Sequence, residues 1–229
     1  MLPAIALAGV AGFAIAPVAA AQSPPSAAEV AAYKGLHAAA ARGDVAAIEH
    51  LAAADRGAID GRDGNGRTPL HVATFARQRS AVAALLRAGA DPAALDRDRY
   101  DAVTIAAVAD DEETLQVLLV LGASARLVTS RYDGTALIAA AHLGHDGVVR
   151  ELIAAGALLD HVNNLHWTAV IESIVLGDGG PRQQATLAAL LRAGASTALA
   201  DRSGRTPLRL ARERGHGEMV RMLEAAGAR

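Results

Sequence analysis

Eight histidines and one acidic run are the residues of this chain with the chemistry to bind metal or move protons. His142 and His145 stand three apart, a spacing that sets two imidazoles on one helical face where they can hold zinc; His161 and His166 form a second close pair. No carboxylate falls at ligand spacing in the same helix, which favours structural histidines over a metal site. Asp110-Asp111-Glu112-Glu113 could gather calcium, but reads more simply as a solvated turn capping the helix that follows. Gly177-Asp178-Gly179-Gly180-Pro181 has glycine where a serine nucleophile would have to stand. There is no Gly-x-x-x-x-Gly-Lys-Ser/Thr phosphate loop, no His-Glu-x-x-His and no Gly-x-Ser-x-Gly. Zero cysteines remove thiolate nucleophiles, Cys-held zinc and disulfides. The expectation is a chain without catalytic residues, cofactor or metal.

The elements that position these residues come from composition and periodicity. A chain of 229 residues suffices for one domain or two small ones. Its 22 Lys+Arg against 24 Asp+Glu give a formal charge of −2, so no global field recruits nucleic acid or acidic membranes. Hydrophobic residues make up 52% but aromatics only 3%. Much of the apolar content is alanine, which suits closely packed helices.

Met1 to Ala28 carries no charged side chain. The apolar run Leu2–Ala16, then Pro17 and Ala19-Ala20-Ala21, has the order of a secretory signal peptide over residues 1–21, cleaved after Ala21. No Lys or Arg precedes the run, which leaves open a retained membrane anchor or a start further upstream. Residues 22–32, with Ser23-Pro24-Pro25-Ser26, read as a short linker.

From Tyr33 onward a repeat governs the chain. Gly-Ala recurs at 57–58, 89–90, 122–123, 156–157, 194–195 and 227–228, at intervals of 32, 33, 34, 38 and 33 residues. A period near 33 is the mark of a solenoid. Apolar groups stand seven, four and three residues before the glycine, as in Val82/Leu85/Leu86 and Leu187/Leu190/Leu191. They form one helical face that a left-handed Gly terminates. A second helix starts in each later unit behind Thr68-Pro69, Asp101-Ala102, Thr135-Ala136, Thr168-Ala169 or Thr206-Pro207. The interval of 38 locates about five extra residues in Leu176–Gln184, expected as a loop between the fifth unit's helices.

Gly66-Arg67-Thr68-Pro69-Leu70-His71-Val72-Ala73 resembles the ankyrin repeat signature, and Gly204-Arg205-Thr206-Pro207-Leu208 repeats most of it. Leu36-His37-Ala38-Ala39, Gly144-His145 and Gly215-His216 match other parts of that pattern. The third unit lacks the signature, having Asp101-Ala102-Val103-Thr104, and rests on periodicity alone. The resemblance implies an all-α ankyrin-repeat solenoid over residues 33–229, about six helix-turn-helix repeats with short β-turn or hairpin loops. Their approximate bounds are 33–63, 64–96, 97–129, 130–162, 163–200 and 201–229. Glu224, where the other units carry Leu or Ile, fits a terminal capping repeat.

The resemblance also implies a concave protein-binding face, whose contacts flank the Gly-x-Thr signature and the end of the first helix. By register these are Arg67, Phe75, Tyr100, Arg131, Tyr132, His142, Asn164, Trp167 and Arg205, with Arg182 in the fifth unit's loop. Tyr100 and Trp167 have a second reading, as packing between neighbouring turns. The functional expectation is a non-enzymatic protein-binding module, exported to the bacterial periplasm, monomeric, without a nucleic-acid partner or stable membrane insertion. The alternatives are a secreted effector binding a host protein, or an accessory factor for a peroxide-detoxifying envelope enzyme.

Overall fold

Residues 22–229 are described by a computed structural model; the expected signal peptide, residues 1–21, lies outside them. A one-and-a-half-turn helix, α1 (Ala27–Ala32), is followed by six pairs, each a short helix and a mostly longer one. These are α2 (Gly35–Arg42) with α3 (Val45–Ala54), α4 (Pro69–Phe75) with α5 (Arg79–Arg87), and α6 (Ala102–Val108) with α7 (Glu112–Val120). Then come α8 (Ala136–Leu143) with α9 (Asp146–Ala154), α10 (Ala169–Val175) with α11 (Pro181–Arg192), and α12 (Pro207–Glu213) with α13 (Gly217–Ala225). The fold is an all-helical ankyrin-type solenoid. The short helices stack as an inner row and the long ones as an outer row, each packing on its counterparts in the repeats before and after.

The caps decide where the inner helices begin. Asp101 accepts from the Thr104 N–H at 2.9 Å, and Thr135, Thr168 and Thr206 do the same for Ile138, Ile171 and Arg209 at 3.3–3.4 Å. Each satisfies a backbone donor that the first helical turn would otherwise leave orphaned. The unit that rested on periodicity is therefore present: α6 and α7 match α4 and α5 in length. Gly89, Gly122, Gly156, Gly194 and Gly227 all adopt φ between 80° and 98°, a region that costs other residues about 1 kcal/mol or more. Gly57 does not: α3 ends at extended Asp55, and a single 3-10 turn over Arg56–Ala58 follows it.

Alanine content has a packing cause. Ala39, Ala73, Ala106, Ala140, Ser173 and Ala211 occupy one register position of the inner row, and all are essentially without solvent contact. Small side chains there let successive inner helices approach closely, and the outer-row Leu85, Leu118, Leu152, Leu190 and Leu223 close the same core. Each of these leucines contributes about 2 kcal/mol by leaving water.

Two expectations need correction. Residues 22–32 are not a free linker. Ser26 and Glu29 form a capping box that starts α1, and the segment docks on the repeats through Glu29 with Arg67, Ser23 O with Arg67 at 3.0 Å, and Gln22 Nε2 with Thr104 O at 3.2 Å. The fifth unit's extra residues are only partly a loop. Pro181 at the first helical position starts α11, which reaches twelve residues where α5, α7, α9 and α13 have nine.

Candidate functional site

The turns between repeats project as fingers, stacked by backbone hydrogen bonds. Arg97 N–H donates to Asn65 O at 3.0 Å, Ser130 N–H to Arg99 O at 2.7 Å and Asn164 N–H to Tyr132 O at 2.9 Å. The residue two before each cap is left-handed, Gly66, Arg99, Asp133, His166 and Gly204, with φ of 50–74°, and repeat four adds Ser130 at 64°. Glycine accepts that conformation freely. Repeats three to five place Arg, Asp and His there instead, at about 1 kcal/mol each. The residue after it, immediately before the cap, is Arg67, Tyr100, Gly134, Trp167 or Arg205.

Two residues expected on the binding face are buried at this position. Arg67 is 1% exposed: its guanidinium donates to Asp63 at 2.7 Å and pairs with Glu29 of the N-terminal segment, so it is a lock rather than a contact. Bonds from the Ser26 hydroxyl and backbone, and then from Arg67, hold the Glu29 carboxyl down at about 2. Burial alone would raise Asp63, but donation from Tyr33 at 2.6 Å and from Arg67 outweighs it and brings Asp63 to about 2. Tyr100 is 3% exposed, enclosed by its neighbouring repeats; of the two readings open for it, packing is the one observed. Burial pushes its phenol up to about 12, so it stays protonated.

The other expected residues scatter. Arg131 is exposed beside Asp98 at 3.1 Å, and the Asn164 side chain donates to Arg131 O at 3.0 Å on the neighbouring finger. Phe75 and Trp167 are half-buried, Trp167 against the core. Arg205 pairs with Asp201 at 2.6 Å and reaches Glu213 at 3.4 Å. Arg182, expected in the fifth unit's loop, is instead the second residue of α11, bound to Asp110 at 2.6 Å and Gly144 O at 3.1 Å, away from the fingers. His145 Nδ1 faces Ala107 O at 2.9 Å and His161 Nε2 faces Asp133 O at 2.7 Å. Among the described residues no three His, Asp or Glu side chains come together as a metal-holding group.

What the structure does bring together is a cavity at the finger bases of repeats three to five. Tyr132 and His142, both expected, line it with Leu143 and Leu165; so do Tyr100, Thr104, Ser130, Gly134, Ile138, Asn163 and Glu172. Space deep enough for the centre of a water-sized group amounts to about 30 Å³, room for one side-chain tip. Glu172, 2% exposed, accepts from Asn163 Nδ2 at 3.1 Å and lies 3.2 Å from His142 Nδ1. Glu172 was missed in the sequence, yet it was visible there. Its register position holds Ala38, Val72, Ile105, Ala139 and Leu210 in the other repeats, all buried apolar residues.

Known proteins share this architecture. The family model for ankyrin repeats (3 copies) matches residues 24–96, and that for a single ankyrin repeat matches residues 132–164. The ankyrin repeat protein YahD of Escherichia coli (strain K12) is 40% identical over 167 residues, covering 72% of this chain and 83% of YahD. The crystal structure of an ankyrin repeat domain from Acinetobacter baumannii AYE superposes with a TM-score of 0.79 at 45% identity, covering 85% of this chain and 98% of that one. The ankyrin repeat domain of Bcl-3, a member of the IkappaB family, superposes at 0.77 with 29% identity, covering 86% and 87%. Such repeats are protein-interaction modules, generally scaffolds without enzymatic activity. With the stacked helix pairs, the finger ladder and 40% identity across most of YahD, this chain belongs to the ankyrin repeat family.

Proposed function

We propose that this chain is a non-enzymatic binder that grips one partner protein on its concave face, centred on repeats three to five, after export to the bacterial envelope. The cavity at those finger bases carries the reading. It is ringed by partly exposed Tyr132, Leu143 and Leu165, with half-buried Trp167 on the same finger as Leu165. Tyrosine and tryptophan beside a side-chain-sized hollow are the residues in which binding hot spots are enriched. The strained finger residues Arg99, Asp133 and His166 flank the same region, and backbone strain concentrates at functional surfaces. The uncharged leader of residues 1–21, ending in Ala19-Ala20-Ala21, supports export.

The test is affinity capture from envelope extract with residues 22–229, beside a Tyr132→Ala/Trp167→Ala variant whose helix content is checked by circular dichroism. One protein retained by the parent and lost by the variant is the expected result. Equal retention by both moves the contact away from the fingers, and retention by neither refutes the reading. Fractionation of cells carrying the full chain should recover it with periplasmic proteins; recovery in the cytosol would refute export.

A further inference from the structure

The cavity exists because repeat four lacks a side chain that its neighbours have. Where it has Gly134, repeats two, three, five and six carry Arg67, Tyr100, Trp167 and Arg205, and where it has Ala139 they carry Val72, Ile105, Glu172 and Leu210. In repeats two and six the missing side chain is an arginine. Its guanidinium reaches the residue four positions back, Asp63 or Asp201, and in repeat six also Glu213, eight positions ahead. The corresponding neighbours of Gly134 are Ser130 and His142, and both line the cavity. His142 in turn holds Glu172, a buried carboxylate for which no Lys or Arg partner is found among the described residues. Tyr100 also lines the cavity, and its hydroxyl is buried and without a hydrogen-bond partner.

We infer that this cavity is a receptor for a single arginine side chain presented by the partner protein. The guanidinium would take the place the fold itself gives to Arg67 and Arg205, donating to Glu172 and to the Tyr100 hydroxyl oxygen, with the stem against Ile138, Leu143 and Leu165. A planar donor group beside a carboxylate and an acceptor hydroxyl suits arginine better than a compact ammonium. An anionic side chain would meet Glu172 unfavourably, and a purely apolar one would leave Glu172 without a Lys or Arg partner and the Tyr100 hydroxyl without a hydrogen bond. The inference rests on the concave face being the binding face.

Two variants test it. Glu172→Gln removes the charge and keeps the shape. Gly134→Arg supplies the guanidinium from within: a Cβ there meets only Ser130 Oγ at 3.5 Å and Ile138 Cγ2 at 3.9 Å, ordinary contacts, and the position is not left-handed. The probe is N-acetylargininamide, with N-acetylnorleucinamide as its uncharged counterpart, titrated into isotope-labelled residues 22–229 and followed by amide NMR shifts. Saturable shifts at Tyr100, Ser130, Gly134, His142 and Glu172 are expected with the arginine probe alone. They should weaken about tenfold in Glu172→Gln and vanish in Gly134→Arg. Equal shifts from both probes, or arginine shifts unchanged in Glu172→Gln, would overturn the inference. Should Gly134→Arg fail to fold, the Glu172→Gln comparison decides alone. Partner capture that depends on Tyr132 and Trp167 but ignores both cavity variants would leave the concave-face reading standing and remove the arginine receptor.

Discussion

His71 should make the stability of this protein fall between neutral and mildly acidic pH. It is 1% exposed, and both ring nitrogens are committed. The Thr68 backbone N–H donates to Nδ1 at 3.0 Å, closing the cap of α4, and Nε2 donates to Tyr100 O at 3.0 Å in the next repeat. That pattern requires the neutral ring, because a proton on Nδ1 would displace the cap. Burial accordingly depresses the imidazole from 6.5 to about 4, against the raising effect of the Tyr100 carbonyl. As pH drops below 6.5 the unfolded chain takes up a proton that the folded one refuses until about 4, so stability is lost across that window and flat above it. The loss is about 1 kcal/mol at pH 5.5 and about 3 kcal/mol at pH 4. Urea unfolding at intervals from pH 7.5 to 4, for the parent and His71→Ala, isolates this contribution. The variant should be less stable at neutral pH and show a shallower decline. Parallel declines in the two proteins, or a folded-state NMR titration of the His71 ring with a midpoint near 6.5, would refute the reasoning.

Arg67→Ala should cost about 3 kcal/mol in urea unfolding, since it strands Asp63 beneath the N-terminal segment. Arg205→Ala, at the same finger position but partly solvated, should cost about 1 kcal/mol or less. Equal losses would show that burial does not govern the pair. Glu29 and Asp63 are both held at about 2, so their contribution is intact above about 4.5 and disappears as pH falls towards 2. Amide exchange in α1 should therefore stay as slow at pH 4.5 as the repeats allow and accelerate selectively near pH 2. Loss of protection in α1 already at pH 4.5 would contradict the docking geometry.

The repeat architecture was legible because a period is a property of the chain itself. Glycines at 89, 122, 156, 194 and 227 and caps at Thr68, Asp101, Thr135, Thr168 and Thr206 act locally, so their positions alone bound the helices. The docked segment was legible in part: Ser26-Ala27-Ala28-Glu29 is a capping box, but Pro24-Pro25 beside it suggested a linker, and nothing local announces that Glu29 meets Arg67. The site divided along the same line. Tyr132 and His142 line the cavity as their register implied, whereas Tyr100 is enclosed by residues about thirty positions away and Arg67 by the N-terminal segment. Burial at a finger base depends on what the adjacent repeat places there, and Gly134 changes its neighbours' surroundings without changing their sequence.

The histidine at the third position of the inner helix ties its repeat to the next finger only near the start of the stack. His37 Nε2 meets Arg67 O at 3.0 Å and His71 Nε2 meets Tyr100 O at 3.0 Å, and Thr104 at the same register reaches Thr129 at 3.0 Å. Repeats four and five carry Ile138 and Ile171 there, and repeat six carries Arg209, whose side chain turns to Glu213 in its own helix. Because each unit of a solenoid packs chiefly on its immediate neighbours, with Arg182–Asp110 a bridge that skips one, such differences do not average out along the chain. The stack should peel from its C-terminal end, with α12 and α13 opening first and the N-terminal three repeats last. The cavity then sits at the seam between a riveted half and an unzippable one, and a partner seated there would bolt the two together.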